Sequence, residues 1–248
     1  MHGRTLSAGK YEARLARDGA DLAQAMALRN LSFRQGRTAN QDGDAFDDAC
    51  LQILIVDKTT NRLVCCYRVL MLDSARDLAR SYSAQFYDLS RLAGFDGPMV
   101  ELGRFCVHPD HPDADILRLA WGALARLVDA TESTLLFGCS SFEGAQNSGH
   151  DPALAHLRAA HLAPDQWRPL RLAPRINDYA ARLAGQTPDL HAALRAMPPL
   201  LRTYLAMGGW VSDHAVVDTD LDTLHVFTAV EIAKIPPARA RALRAIAG

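Results

Sequence analysis

Lysine is nearly missing from this chain of 248 residues. Only Lys10, Lys58 and Lys234 stand among 27 basic side chains; the rest are arginines, which can grip a carboxylate or phosphate with two parallel hydrogen bonds where lysine cannot. A surplus of one charge is missing too. The 28 acidic side chains leave a formal net charge of -1, so no overall field draws the chain to nucleic acid or to an anionic membrane, and only local patches remain open. Cysteine is sparse and odd in number. Cys50, Cys65, Cys66, Cys106 and Cys139 include no C-x-x-C and no ligand-like spacing with histidine, so no metal site is expected; they read as reduced, buried, small apolar residues. No charged-apolar-small leader opens the chain, and no uncharged apolar run reaches about 18 residues, which predicts a cytoplasmic, non-spanning protein with at most peripheral membrane contact. Also absent are the G-x-S-x-G elbow, the phosphate-cradling Walker loop, the dinucleotide G-x-G-x-x-G and the basic-aromatic interleaving of nucleic-acid binders.

What is present is a core-forming composition, 49% hydrophobic, and a readable order of elements. Residues 1–10 read as loose. "YEARLA" (Tyr11 to Ala16) alternates like a strand, and the segment after it has helical spacing behind Asp18 or Asp21 as a cap. The polar stretch from Arg34 to Cys50 has no period and reads as a long functional loop. "LQILIVD" and "LVCCYRVLML" make a hairpin around "KTTNR". "SARDLARSYSAQFYDLSRLAGF" reads as helical or mixed. "GPMVELGRFCV", "DILRLAWGALARLVDAT" and "STLLFGCSSF" follow as strand, helix, strand, a crossover that predicts parallel strands. An irregular insertion is expected over 143–187, then a helix interrupted at Pro198-Pro199, and two last strands, "WVSDHAVVD" and "TLHVFTAVEI". The fold class is α/β of the α+β type, a single domain over 1–248 with a mixed, mostly antiparallel sheet flanked by helices.

The charged residues inside apolar segments are the candidates for chemistry. Glu101 and Arg104 lie three apart in one strand, hence on opposite faces unless the strand bulges or splays at Gly103. The pair reads either as an internal ion pair, or two separate edge charges, or as reacting groups; a carboxylate in an apolar strand is costly without a partner. The polar loop carries Asp42, Asp44, Asp47 and Asp48, either solvated or clustered to capture an ammonium group. Arg68, alone in "CCYRVL", wants such a carboxylate. The turn "HPDHPDAD" (His108 to Asp115) meets a helix start, where phosphate binds when glycine amides are exposed, yet it contains no glycine.

Together, "VELGRFCVHPD", "ILRLAWGALARLV", "LLFGCSSFEGA" and "MPPLLRTYLAMGGWVSDHAVVD…LHVFTAVEI" resemble the ornithine-lipid N-acyltransferases, hemolysin-like members of the GNAT N-acyltransferase superfamily, from about Tyr11 to Ile235. More distantly the chain is similar to the acyl-homoserine-lactone (autoinducer) synthases: Arg29 and Phe33 on the first helix, Asp44 and Asp47 in an acidic loop, Arg68 in a strand, and Glu101 and Arg104 before the cofactor helix match in order. The resemblance implies a GNAT-like fold and transfer of a (3-hydroxy)fatty acyl group from the phosphopantetheine of acyl carrier protein to the α-amine of ornithine, giving lyso-ornithine lipid. It implies no tightly bound cofactor, no metal and no nucleic acid. Superfamily members that use acetyl-CoA share a glycine-rich pyrophosphate loop, and the glycine-free turn here fits a donor arm with one phosphate.

On that reading Glu101 is the base and Arg104 its catalytic companion. Arg29, Phe33, Asp44, Asp47 and Arg68 hold the amino-acid acceptor, and Phe105, Cys106, Val107, Phe137 and Ser140 line the acyl and phosphopantetheine channel. The rival readings are an autoinducer-synthase-like acyltransferase and a non-catalytic module that binds acylated carrier protein.

Overall fold

The computed structural model describes residues 5–34, 42–145 and 148–247. In chain order the strands are β1 (Leu6–Ala8), β2 (Tyr11–Leu15), β3 (Leu51–Asp57), β4 (Arg62–Leu72), β5 (Tyr87–Asp88), β6 (Met99–Val107), β7 (Leu135–Glu143), β8 (Leu170–Arg171), β9 (Ile176–Asn177), β10 (Trp210–Val211), β11 (Ala215–Asp218) and β12 (Thr223–Glu231). The helices are α1 (Gly19–Arg34), α2 (Ala114–Ala130), α3 (Asp151–Ala160), α4 (Tyr179–Arg182), α5 (Leu190–Ala196), α6 (Pro199–Ala206) and α7 (Pro237–Ala247). They gather into two compact units: Met1–Met71, Val100–Ser133 and Pro237–Gly248 form one, Leu72–Met99 and Thr134–Pro236 the other.

In the first unit the strand order is β1-β2-β3-β4-β6. Of the ten N-terminal residues expected to be loose, Leu6 to Ala8 instead pair antiparallel with Tyr11 to Ala13, because Leu6 is apolar enough to be buried and Gly9 takes the left-handed turn conformation, φ +56°. The Asp18 carboxylate caps α1 by accepting from the Asp21 N–H at 3.0 Å. Asp21 instead clamps β2: it accepts from Arg14 Nη1 and Nη2 at 2.6 and 2.8 Å, and this guanidinium holds its carboxyl well below the usual carboxylate range.

The β3–β4 hairpin forms as expected, with a register shift between Ile55 and Val56, and Leu63 to Leu70 are all buried. A run buried on both faces leaves no room for alternation, which is why β4 reads as nearly continuous hydrophobics. Helix α2 buries Ile116, Leu119, Ala120, Ala123, Leu124 and Leu127. The sequence reading gave nothing for α7, whose arginines alternate with alanines. It packs on α2 at Gly122, where a Cβ would fall 2.5 Å from Ile246 Cγ2, and Arg244 pairs with Asp129 at 2.9 Å.

In the second unit β7, β12, β11 and β9 pair antiparallel in that order, with β10 also antiparallel on β12; a parallel bridge joins Leu162 to Val211. The expected strand "WVSDHAVVD" is two, because Ser212 breaks it. Its hydroxyl donates to the His214 carbonyl at 2.7 Å and accepts from the Phe227 N–H at 3.1 Å, which closes a bend between β10 and β11. The region expected as an irregular insertion holds α3, β8, β9 and α4, and the mixed stretch after β4 is three short 3-10 turns flanking β5.

Tyr87 anchors this unit. Its hydroxyl donates to the His225 carbonyl at 2.8 Å, and its ring packs on His214, His225 and Phe227. The Nε2 atoms of His214 and His225 are buried without a hydrogen-bond partner. Burial pushes His225 down to about 4 from the ordinary 6.5, against the opposing charge of Asp218. The unfolded chain therefore takes up a proton near pH 6.5 and the folded one only near pH 4, so this residue's share of stability is complete above 6.5 and lost as pH falls through that window. Urea unfolding is expected to show about 3 kcal/mol of acid-labile stability that the His225→Asn variant lacks. Equal pH slopes for the two proteins would count against it.

Candidate active site

The charged residues that sequence reasoning scattered over α1, the polar loop, β4 and β6 meet in one network within the first unit. Of the loop, residues 35–41 lie outside the described residues. The described part folds as a tight turn, in which the Asp44 carboxylate accepts from the Phe46 N–H at 2.9 Å and the Asp44 carbonyl accepts from the Asp47 N–H at 3.1 Å. Arg29 projects from the buried side of α1 and grips Asp47 with two bonds, Nη1 to Oδ1 at 2.7 Å and Nη2 to Oδ2 at 2.8 Å; its Nε donates to the Asp42 carbonyl at 2.9 Å. Arg68 donates to Asp44 through both terminal nitrogens and to Asp47 at 3.0 Å, and its guanidinium lies over the Phe46 ring. Arg104 reaches the same carboxylates, Nε to Asp42 at 3.1 Å and Nη2 to Asp44 at 3.1 Å.

Four arginines thus meet three aspartates, since Arg34 also pairs with Asp42 at 3.2 Å. Burial pushes the Asp47 carboxyl up, but Arg29, the Asp44 amide and Arg68 outweigh it and hold it well below the carboxylate range. Asp44 is shifted the same way, with burial opposed by Arg68 and Arg104. Asp47 and Asp42 are buried, whereas the Asp44 side chain is 25% exposed and that of Arg104 12%. Solvent reaches the network at those two groups and at Arg34, whose side chain is 21% exposed. Asp42 was expected only as one of four loop acids, and Arg34 and Gln52, whose amide donates to Asp47 at 3.2 Å, were not among the expected site residues. The available signal was Arg29 itself, because a buried guanidinium with five donors needs more than one carboxylate.

Strand β6 carries Glu101, only 4% exposed. The expected break at Gly103 falls one residue later: Arg104 takes the left-handed conformation, φ +51°, and Arg68 lies across Gly103, with its Nε 3.5 Å from where a Cβ would stand. A non-glycine residue holds that conformation against steric cost because its guanidinium is fixed by Asp42 and Asp44. The strict face alternation of the strand ends there. Cys50, half-buried rather than buried, senses the same field: burial first, then the charges of Glu101, Asp47 and Asp44 raise its thiol to about 11 against Arg68. Glu101 and the Asp44–Arg68 pair thus both act on the Cys50 thiol.

Among the remaining expected residues, Phe33 packs on the apolar cluster of Ala25, Leu28, Leu54, Val56 and Leu63. Phe105 stacks on Tyr67 at 5.2 Å, Cys106 Sγ lies 3.5 Å from Cys66 Sγ, and the Val107 carbonyl accepts from Ser32 at 3.5 Å. Phe137 and Ser140 belong to the second unit, where Phe137 stacks on Phe227 and Ser140 accepts from Thr228 at 3.0 Å. At the turn into α2, Asp113 caps the helix by accepting from the Asp115 N–H at 2.9 Å, and Tyr11 donates to its other oxygen at 2.7 Å. The helix start, attractive to phosphate by its amides, is filled by the protein's own carboxylate. Among the described residues no group of three or more His, Cys, Asp or Glu side chains is arranged for a metal ion.

Comparison with known proteins adds to this geometry. An acetyltransferase (GNAT) domain model matches residues 28–122, from α1 to α2. The chain is 34% identical over 235 residues to L-ornithine N(alpha)-acyltransferase of Rhodobacter capsulatus, covering 89% of this chain and 90% of that protein, and 30% identical to its counterpart from Brucella abortus, covering 92% and 86%. In fold it is similar to FeeM, an N-acyl amino acid synthase from uncultured soil microbes, with TM-score 0.50, 9% identity and 96% of each chain covered. The fold is GNAT-like, and the chain belongs to the L-ornithine N(alpha)-acyltransferases.

Proposed function

We propose that this chain transfers a 3-hydroxyacyl group from the phosphopantetheine thioester of acyl carrier protein to the α-amine of ornithine. The observation that carries the acceptor half is the partial exposure of Arg104 and Asp44, a pair held at 3.1 Å that together with Arg34 forms the solvent-reached side of the network. Together they present one guanidinium and one carboxylate, the complement of an α-carboxylate and a side-chain ammonium. Asp47, Arg29 and Arg68 are spent on one another and order the loop that presents Asp44. The turn into α2 supports the donor half, because Asp113 caps the helix start and the stretch from His108 to Asp115 has no glycine to free backbone amides for a pyrophosphate.

In the reaction Glu101 takes a proton from the α-ammonium, directly or through a water. The freed amine attacks the thioester carbonyl and the C–N bond forms; as the C–S bond breaks, the nitrogen sheds its second proton and the leaving thiolate takes it up, giving amide and thiol. A backbone N–H between Phe105 and Val107 stabilises the oxyanion, beyond the point where Arg104 takes β6 out of regular alternation. No covalent enzyme intermediate is needed. No helix among the described residues is long and apolar enough to cross a membrane.

Mass spectrometry of reactions with ornithine and either 3-hydroxyacyl carrier protein or the matching CoA thioester tests both halves. The expected product is an ornithine amide formed faster from the carrier protein. Absence of an ornithine amide overturns the acceptor, and equal or faster use of the CoA thioester overturns the donor.

A further inference from the structure

The second unit carries a surface that the acyl-transfer reading does not use. Helix α5 leaves Leu190 53% and Leu194 42% exposed, one helical turn apart and therefore on one side. Leu194 also borders a cavity of about 270 Å³ that is lined with Met197, Leu205 and Ala206 and rimmed by His156, His161 and Arg202. Exposed Arg195 and His191 stand on α5 beside the leucines. From Leu190 to Met207 there is no carboxylate, although the whole chain has more acids than bases. The neighbouring acid, Asp189, is engaged at the start of α5, where it accepts from the Ala192 N–H at 3.0 Å.

We propose that the α5–α6 face docks on a bilayer containing anionic phospholipid, with Leu190 and Leu194 entering the interface, Arg195 and Arg202 at headgroup level, and the cavity beside Leu194 taking an acyl chain. Two leucines on a seven-residue helix make too small an apolar face for a stable protein interface, which buries roughly 800 Å² per partner. A bilayer accepts a short amphipathic helix without shape complementarity, and arginines beside it supply the attraction to anionic headgroups. The inference does not depend on which acyl donor or amine the enzyme uses.

Co-sedimentation of the full chain with vesicles of equal phosphatidylglycerol and phosphatidylcholine, against phosphatidylcholine alone, tests it. The expected result is binding to the anionic vesicles that weakens with added salt. It should fall about tenfold or more in Leu190→Asp/Leu194→Asp and, separately, in Arg195→Glu/Arg202→Glu, with thermal melting and turnover of soluble substrates unchanged. No binding at low salt, or equal binding by both variants, overturns the proposal. So does a face that captures acidic acyl carrier protein in the same variant-sensitive way while ignoring vesicles.

Discussion

Replacing Arg29 by leucine is expected to lower folding stability by about 3–5 kcal/mol, the range for removing one partner of a buried ion pair. Leucine fills most of the volume on the buried side of α1, so the loss comes from the charges left behind. Asp47 keeps Arg68 and the Asp44 amide but loses its two-bond grip, and Asp42 loses the donor to its carbonyl. Both acids are buried, and a buried carboxylate that loses part of its cationic partnership keeps its desolvation cost with less to offset it, although Arg68 still faces Asp47 and Arg34 and Arg104 still face Asp42. Equilibrium unfolding in urea measures the effect. Arg29→Lys should recover part of it, since charge returns without the second parallel bond. A loss under about 1 kcal/mol would mean that the network is looser than the distances imply.

Glu101→Gln is expected to leave the fold intact and lower kcat by about 10²- to 10⁴-fold, the usual contribution of a positioned base. The amide keeps the size of the carboxylate and can still accept hydrogen bonds, but it cannot take the ammonium proton. KM for ornithine should change little, because the acceptor contacts proposed above are Arg104 and Asp44 and not Glu101. Turnover at the unsubstituted rate would remove Glu101 from the base role. A shift in KM alone would make it a binding residue instead.

These two expectations rest on unlike amounts of sequence information. Strand β2 and helix α1 were legible because alternation and an aspartate cap are local signals, and "ELGR" followed by a helix marked where Glu101 and Arg104 would lie. Arg104 as the left-handed residue was not legible, since the glycine beside it is the usual holder of that conformation and only the carboxylates of a distant loop favour the arginine. The four loop aspartates could not be ranked from the residues alone, and the resemblance singled out only Asp44 and Asp47. Asp48 is exposed and Asp42 buried, a difference decided by Arg29, Arg34 and Arg104 from other segments. Helix α7 escaped although it is amphipathic, because Leu243 and Ile246 are its only large apolar residues, and Gly122 on α2, which admits Ile246, has no signature until the two helices meet.

The arginine–aspartate network also limits how this chain can drift by mutation. Asp42, Asp44 and Asp47 each answer to at least two arginines from segments far apart in sequence. A lysine at position 29 or 68 would restore the charge and forfeit the paired bonds, so even the mildest basic exchange leaves a carboxylate half-answered. Neutral change there requires two or three simultaneous replacements. A descendant that came to accept a different amine would therefore be expected to keep the buried arginines and alter the rim, at Asp44 and around Arg104, first.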